Sequence, residues 1–245
     1  MKALFVSDVH IGAATPRATE AFLQFVGSVA KRADTLYILG DLFDAWLGDD
    51  DLRPPHHAVI DALGKLADAG TKTFAVHGNH DFLLGQQFAH SANVELLPEI
   101  STVMLGPHKT VLCHGDELCT DDVEYQAFRS YARAPGNQQA FLSLDMPARI
   151  QQARKLRTQS KQAMQLKADD IMDANVQAVH AMLETHAADW MIHGHTHRPL
   201  DHVHDIAGRQ CLRFVLGDWY QQESVLLWND ETLSRRSIAE IDALL

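Results

Sequence analysis

The first third of the chain alternates short apolar runs with amphipathic helical patterns. Apolar runs at residues 3–6, 36–39 and 73–76 predict three buried strands. The stretches between them place apolar residues at helical spacing, with Pro16 in the first turn of one predicted helix and Pro55 at the start of the next. Strands that alternate with helices in this way are typical of α/β organisation with a parallel sheet.

The second half of the chain is richer in predicted strands. Apolar runs flank Gly106-Pro107, which indicates a hairpin, and three further strands are predicted at residues 188–192, 212–216 and 224–228. Four histidines outside these runs are expected in loops: His56, His57, His202 and His204. A mostly helical pattern lies between the two strand-rich parts. We therefore predict one domain over residues 1–245, with a helical cap inserted at about residues 121–186.

Small polar clusters stand where the predicted strands end. They contain carboxylates, an amide and imidazoles: Asp8 and His10, Asp41 and Asp44, Asn79 with His80 and Asp81, His114 and Asp116, and His195 and His197. Chemistry in an α/β fold is placed at the carboxyl ends of the strands, so clusters from distant parts of the chain are expected to converge there. The pairs Asp8/His10 and His195/His197 have an i, i+2 spacing, which puts both side chains of a pair on one face of an extended strand.

The residue types in these clusters are those of a site for two metal ions. Asp8 and His10 are expected to ligate one ion, and Asp41 is expected to bridge two ions with its two oxygens. Asn79 is expected to ligate through its neutral carbonyl. The set mixes nitrogen and oxygen donors without a thiolate, which favours Mn²⁺, Fe²⁺ or Zn²⁺ over Ca²⁺. Two such ions about 3.5–4 Å apart activate a water and neutralise charge when phosphate esters are hydrolysed.

His80 and Asp44 stand beside these ligands and are candidate catalytic residues. His80 is expected to protonate the leaving oxygen or to hold the phosphate, with the Asp44 carboxylate orienting its other ring nitrogen. Taken singly, an Asp-x-His after a strand is more often a surface loop than a ligand pair. His10 or His114 alone would more often be a hydrogen-bonded histidine than a ligand. Five clusters in this order at five strand ends favour the metal site over those interpretations.

Charge and composition limit the classes of partner. The formal net charge of -11 argues against a dedicated nucleic-acid binder, so no nucleic acid is expected as a partner. The 3 cysteines lack a metal-type spacing, which fits a reduced, cytoplasmic compartment. No segment approaches the roughly 20 apolar residues that span a bilayer. The sequence gives no sign of a protein partner.

Basic residues are concentrated in the predicted insert. Residues 147–168 contain no acidic residue, although the whole chain is acidic. Arg157, Ser160, Met164 and Lys167 follow one another at helical spacing and so share a helix face. A basic helix with apolar neighbours suits an acylated sugar phosphate and anionic lipid headgroups. The alternative is a solvated helix face with ordinary core contacts.

The motifs D-x-H, G-D-x-x-D, G-N-H-D, H-G-D and G-H-T-H, in this order, resemble those of the calcineurin-like metallophosphoesterase superfamily. The resemblance covers the chain outside the predicted insert. It implies an α/β (α+β) fold, a four-layer α-β-β-α sandwich with a di-metal site at one edge. It also implies seven metal ligands: Asp8, His10, Asp41, Asn79, His114, His195 and His197.

Longer segments resemble a narrower family, the UDP-2,3-diacylglucosamine pyrophosphatases of lipid A biosynthesis. These segments are residues 36–51, 114–122, 125–129 and 192–199. The resemblance implies water attack at the α-phosphorus of UDP-2,3-diacylglucosamine, which yields UMP and 2,3-diacylglucosamine 1-phosphate (lipid X). It further implies two Mn²⁺ ions and a peripheral position on the cytoplasmic face of the inner membrane. The substrate contacts that it implies are Asn79, His80, Asp122, Ser160, Met164, Lys167 and His195.

Three positions depart from the pattern of the narrower family. His80 stands where that family has Arg, Asp44 where it has Glu, and Met164 where it has Asn. Because His80 with Asp44 is the pair of the wider superfamily, an alternative is a related enzyme that acts on a soluble nucleotide pyrophosphate or phosphodiester. A non-enzymatic interaction module is a third hypothesis, which the complete ligand set disfavours.

Overall fold

Two β-sheets stack face to face, and helices cover their outer faces, in the computed structural model of the chain. The structure describes residues 1–164, 171–220, 222 and 224–244. Sheet A consists of β1 (Lys2–Val6), β2 (Thr35–Leu39), β3 (Lys72–Val76), β4 (Val94–Leu96), β10 (Val225–Asn229) and β11 (Leu233–Arg236). Sheet B consists of β5 (Ser101–Leu105), β6 (His108–Leu112), β7 (Trp190–His193), β8 (Asp201–Ile206) and β9 (Arg209–Val215).

Both sheets have a run of parallel strands, with antiparallel strands at one edge of sheet A and at both edges of sheet B. The strand order of sheet A is β11-β10-β1-β2-β3-β4, and β1 to β4 run parallel. The order of sheet B is β5-β6-β7-β9-β8, and β6, β7 and β9 run parallel. The five polar clusters follow β1, β2, β3, β6 and β7, all of which are parallel strands. Their carboxyl ends therefore meet along one edge of the two sheets.

The helices that pack on sheet A follow the apolar periodicity of the sequence. All helices in the described residues are α1 (Pro16–Ser28), α2 (His56–Asp68), α3 (Gln86–Ala92), α4 (Val123–Arg133), α5 (Pro135–Leu142), α6 (Met146–Met164), α7 (Val176–Thr185) and α8 (Ile238–Leu244). Helix α1 begins with Pro16 in its first turn, where the missing amide hydrogen of proline costs no helical hydrogen bond. Helix α2 buries Val59 and Leu63 on one face and leaves its charged residues outside.

Three apolar interfaces hold the layers together. Phe22 and Leu63 belong to the core between the helices α1 to α3 and sheet A. Trp228 lies between the two sheets. Val179 and Cys211 belong to the core between α7 and sheet B. The layer order is thus helix, sheet, sheet, helix, which confirms the predicted four-layer α-β-β-α sandwich.

The four histidines expected in loops lie in regular elements instead: His56 and His57 in α2, and His202 and His204 in β8. The imidazole of His56 is buried because it packs on the rings of Phe43 and Trp46. Strand β8 has no apolar run of its own, and its strand conformation comes from antiparallel pairing with β9. That prediction was therefore wrong, since non-local pairing and packing decided these positions.

The segment at residues 121–186 contains α4 to α7. Helix α7 packs on sheet B, whereas α6 is attached to the loop after β2 by Arg149, whose guanidinium donates to both carboxylate oxygens of Asp50. The bounds of the inserted cap stay a prediction. Within the described part of the chain, no helix is both long enough and apolar enough to cross a lipid bilayer.

His204 makes the stability of this fold dependent on pH. It is 9% exposed, on the face of sheet B that α7 covers. Burial, together with the charge of Arg213, lowers the pKa of His204 from 6.5 to about 4. Between these two pH values the unfolded chain takes up a proton that the folded protein does not. The contribution of His204 to stability is therefore present above pH 6.5 and is lost as the pH falls towards 4.

We accordingly expect His204→Gln to reduce the fall in the free energy of unfolding between pH 6.5 and pH 4. Urea unfolding at a series of pH values measures the slope of the free energy of unfolding against pH. His57→Gln is the control, because it replaces a histidine whose side chain is 64% exposed. A slope in His204→Gln as steep as in the wild type would contradict the assignment.

Candidate metal centre

The loops that follow five parallel strands bring the seven predicted ligands to one edge of the sandwich. Asp8 and His10 follow β1, Asp41 follows β2, Asn79 follows β3, His114 follows β6, and His195 and His197 follow β7. Hydrogen bonds between loops hold them together. The backbone amide of His10 donates to the carbonyl of Asp41 (2.9 Å), and that of His195 donates to Oδ2 of Asp8 (2.9 Å).

Five of these side chains extend from a left-handed backbone. The φ angles are 55° at Asp8, 52° at His10, 52° at Asp41, 66° at His195 and 53° at His197. Residues other than glycine adopt this conformation uncommonly, at a cost of about 1–3 kcal/mol each where the site is strained. Such conformations cluster at functional sites, where the surrounding structure enforces them.

Asp8, His10 and His197 form the first group of potential metal ligands. Their ligand atoms all lie within 4.8 Å of one another. Nε2 of His197 is 3.2 Å from Oδ1 of Asp8 and 3.4 Å from Nε2 of His10. Two ring nitrogens and a carboxylate oxygen therefore face one position.

Asp41 lies between this group and a second one. Its Oδ2 is 3.6 Å from Nε2 of His10 and 3.6 Å from Nε2 of His114. Its Oδ1 accepts a hydrogen bond from the backbone amide of His80 at 2.8 Å. The expectation that Asp41 bridges two ions with its two oxygens stays a prediction. Only Oδ2 faces both groups, because the loop after β3 occupies Oδ1.

Asn79, His114 and His195 form the other side of the centre. Oδ1 of Asn79 is 2.9 Å from Nε2 of His114, and the rings of His114 and His195 are 5.1 Å apart. Nδ1 of His114 donates to the carbonyl of Leu39 at 2.9 Å. Because a carbonyl only accepts, the neutral ring carries its proton on Nδ1 and presents the lone pair of Nε2 to the centre.

Burial and charge set the protonation of these imidazoles. Burial lowers the pKa of His10 to about 3 and that of His195 to about 4, so both rings are neutral at pH 7. Burial alone would also lower the pKa of His114, but the charges of Asp41 and Asp8 raise it to about 9. The buried carboxylates thus favour positive charge at the centre.

The donor set fits divalent metal ions. Asp8 is 0% exposed and Asp41 is 2% exposed, and two buried carboxylates so close together are stable only with positive charge beside them. Imidazole nitrogens with carboxylate and amide oxygens, and no thiolate, are ligands for Mn²⁺, Fe²⁺ or Zn²⁺. The residues that would hold two ions are the seven predicted ligands.

His80 faces the same centre from the side. Its Nδ1 donates to the backbone carbonyl of Asp44 at 2.7 Å, and its Nε2 is 4.0 Å from Oδ2 of Asp41. The Asp44 carboxylate accepts two hydrogen bonds from the guanidinium of Arg157 in α6. The predicted role of that carboxylate as the group orienting His80 was wrong. The main chain of Asp44 orients His80, because the Asp44 side chain is directed to α6.

Apart from His80, the predicted substrate contacts outside the ligand set belong to residues 121–186, which we call the helical segment. Asp122 caps the start of α4, where its Oδ1 accepts from the amide of Tyr125 at 3.0 Å. Ser160 is exposed on α6, three residues after Arg157. Met164 is the last residue of α6, and Lys167 lies outside the described residues. Their contact with substrate remains a prediction.

Asp81 is a functional residue to which the sequence pattern alone gives no role. It is 0% exposed, and its carboxylate accepts from the backbone amides of Asp41 (3.2 Å), Leu42 (2.7 Å), Phe43 (3.3 Å) and Gly78 (2.8 Å). It therefore fixes the loops of two ligands, Asp41 and Asn79. Its place in the G-N-H-D motif was the only available signal.

The fold and the ligand cluster together define a metallophosphoesterase. The sequence model of the calcineurin-like phosphoesterase family matches residues 1–199. The chain belongs to this family.

Close relatives carry a more specific name, UDP-2,3-diacylglucosamine hydrolase. The protein of that name from Aromatoleum aromaticum is 47% identical over 229 residues, covering 94% of this chain and 94% of the relative. That from Stenotrophomonas maltophilia is 44% identical, covering 96% of this chain and 100% of the relative. A solved phosphoesterase from E. coli is 19% identical with a TM-score of 0.44, covering 97% of this chain and 100% of that one. A likeness at that level does not bear on activity.

We expect Asp81→Asn to weaken Mn²⁺ binding about 10–100-fold, the usual effect of losing a partner that orients metal ligands. The side-chain nitrogen of the new asparagine is a donor, and it would face backbone amides that now donate to the Asp81 carboxylate. Isothermal titration calorimetry measures the affinity. Asp49→Asn is the matched control, since Asp49 also accepts from backbone amides, those of Gly85, Gln87 and Phe88. Unchanged Mn²⁺ affinity in Asp81→Asn would show that the ligand loops hold without it.

Proposed function

We propose that the chain hydrolyses the pyrophosphate bond of UDP-2,3-diacylglucosamine, a step in lipid A biosynthesis. The products are UMP and 2,3-diacylglucosamine 1-phosphate. The observation that carries the proposal is 44–47% identity, over almost the whole chain, to proteins named for this substrate. The intact ligand set supports a hydrolytic reaction.

The proposed reaction is water attack at the α-phosphorus. Two divalent ions, when bound, lower the pKa of a water and neutralise charge that develops on the phosphate. The chain holds the ligands in place through the left-handed loops and the Asp81 carboxylate. Asp41 presents a single oxygen to both ligand groups, which suits a shared ligand position.

His80 and Asp44 are the proposed catalytic pair beside the ligands. The leaving group is a phosphate monoester, whose second pKa is about 6, so it departs at neutral pH without full protonation. Of the two roles expected for His80, holding a phosphate oxygen therefore suits this substrate better. Nε2 is the ring atom available for that contact, because Nδ1 donates to the Asp44 carbonyl.

The metal we propose is Mn²⁺, with Fe²⁺ and Zn²⁺ as alternatives. Oxygen donors from Asp8, Asp41 and Asn79 stand beside the imidazoles, and Mn²⁺ accepts such a mixed set readily. A structural zinc site would more often include thiolates. Cys113, Cys119 and Cys211 are all buried, and none belongs to the groups of potential ligands.

The helical segment is the proposed site for the lipid part of the substrate. Helix α6 is rich in arginine and lysine. Three leucines nearby are each more than a third exposed: Leu142 at the end of α5, Leu144 between α5 and α6, and Leu156 in α6. Basic and apolar groups side by side favour an acylated sugar phosphate and an anionic membrane surface. We propose a peripheral position on the cytoplasmic face of the inner membrane, and substrate contacts at Asp122, Ser160, Met164 and Lys167.

A second candidate function is hydrolysis of a soluble nucleotide pyrophosphate or phosphodiester. The observation that favours it is His80, where the lipid A family has Arg. Turnover of UDP-sugars or cyclic nucleotides that is faster than turnover of the lipid substrate would support this candidate. Strong dependence on the acyl chains would exclude it.

Purified protein with Mn²⁺ and UDP-2,3-diacylglucosamine is expected to release UMP, which chromatography quantifies. Asp41→Ala and His114→Ala should abolish release, because each removes a ligand and leaves other buried groups unpaired. Lys167→Ala should mainly raise KM, since a basic side chain on the helical segment would bind the substrate rather than the metal. If the wild type releases no UMP, the proposal is refuted. Equal, complete loss in all three variants would make the helical segment structural.

A further inference from the structure

Asp116 is a fully buried carboxylate with no role among the proposed ligands and substrate contacts. Its Oδ2 accepts hydrogen bonds from Oη of Tyr125 (2.9 Å), Nε of Arg129 (2.8 Å) and Nη2 of Arg133 (3.2 Å). Its carbonyl accepts from Nε2 of Gln126 (2.7 Å). All four donors belong to α4 at helical spacing. One face of that helix is therefore bound to a single residue.

Helix α4 depends on these polar contacts because it buries no residue. Its apolar side chains face outward instead: Val123 is 73% exposed and Tyr131 is 64% exposed. The two arginines also donate to Glu99, Arg129 at 2.8 Å and Arg133 at 2.6 Å. Charge-assisted hydrogen bonds of this kind are about twice as strong as neutral ones. Asp116 is the buried member of the group and hence its anchor on the core.

Two side chains of α4 reach the loops that carry metal ligands. The ring of Tyr125 stacks on the ring of His195, with centroids 5.9 Å apart and an interplanar angle of 27°. Nη2 of Arg133 donates to the carbonyl of Gly78 at 3.1 Å. Asp116 is therefore linked to the segments of three ligands. It follows His114 by two residues along the chain, and through α4 it is linked to the loops of Asn79 and His195.

We propose that Asp116 is a positioning residue of the metal centre. Through α4 it holds Tyr125 and Arg133 where they fix the loops of His195 and Asn79. It acts on the side of the centre formed by Asn79, His114 and His195, and not on the side formed by Asp8, His10 and His197. This inference rests on the metal-binding part of the proposed function and is independent of the substrate.

The test is Mn²⁺ binding to the full-length chain, measured by isothermal titration calorimetry without substrate. The wild type is expected to bind two ions. Asp116→Asn keeps the size of the side chain but removes its charge, and should weaken one of the two sites about 10–100-fold while the other keeps its affinity. Tyr125→Phe and Arg133→Met each remove one donor to Asp116, and should produce smaller losses at the same site.

Asp51→Asn is the matched control. Asp51 is likewise 0% exposed and accepts from Arg53 at 2.6 and 2.7 Å, but it contacts no ligand loop through that pair. The Asp51→Asn substitution should lower the stability of the fold and leave the Mn²⁺ affinities of both sites unchanged. An equal loss of Mn²⁺ affinity in Asp51→Asn overturns the proposal, because any buried carboxylate would then have the same effect.

Wild-type affinity at both sites in Asp116→Asn also overturns it. Circular dichroism shows whether that variant folds, and if it does not, the same criterion applies to Tyr125→Phe and Arg133→Met. UMP release is scored separately. A wild type that binds two ions but releases no UMP refutes the proposed substrate alone, whereas a wild type that binds no Mn²⁺ refutes both the metal centre and the role of Asp116.

Discussion

Burial of the Asp41 carboxylate is the constraint on which the rest of the centre depends. Oδ1 accepts from the backbone amide of His80 at 2.8 Å, and Oδ2 is 3.6 Å from Nε2 of both His10 and His114. A carboxylate removed from water is costly unless donors and positive charge surround it. The imidazoles and the left-handed loop conformations around Asp41 therefore belong to one arrangement, in which Asp81 ties the loops after β2 and β3 together.

The same closeness explains two glycines of the motifs. A Cβ at Gly78 would lie 2.1 Å from Oδ1 of Asp41, and a Cβ at Gly194 would lie 2.1 Å from Oγ of Ser7 and 2.2 Å from Oδ2 of Asp8. Any side chain at either position would displace a ligand or its support. Gly78 thus lets two loops of sheet A approach each other, and Gly194 lets a loop of sheet B approach one of sheet A, closely enough that only glycine fits.

The core and the helical segment have different roles in the proposed enzyme. The core supplies the ligands from the ends of parallel strands, where rigid elements fix their positions. The helical segment reaches the centre at few points, notably Tyr125 on His195 and Arg157 on the Asp44 carboxylate. Those contacts are polar or aromatic, so α4 and α6 are coupled to the metal centre by specific groups, whereas α7 shares an apolar core with sheet B. This arrangement suits a common hydrolytic site combined with recognition of a particular lipid-linked substrate.

Much of the fold and the ligand set could be predicted from the sequence, because they rest on local signals. Apolar runs predicted β1, β2 and β3, and the chemistry of Asp, His and Asn at their ends predicted which side chains converge. Local signals failed for His56 and His204, whose helix and strand depend on packing and pairing with distant residues. The single shared oxygen of Asp41, the Asp44 carbonyl on His80 and the α4 contacts of Asp116 were decided by the tertiary structure alone. Each depends on which hydrogen-bonding atom a distant segment brings within about 3 Å, and residue types do not specify that.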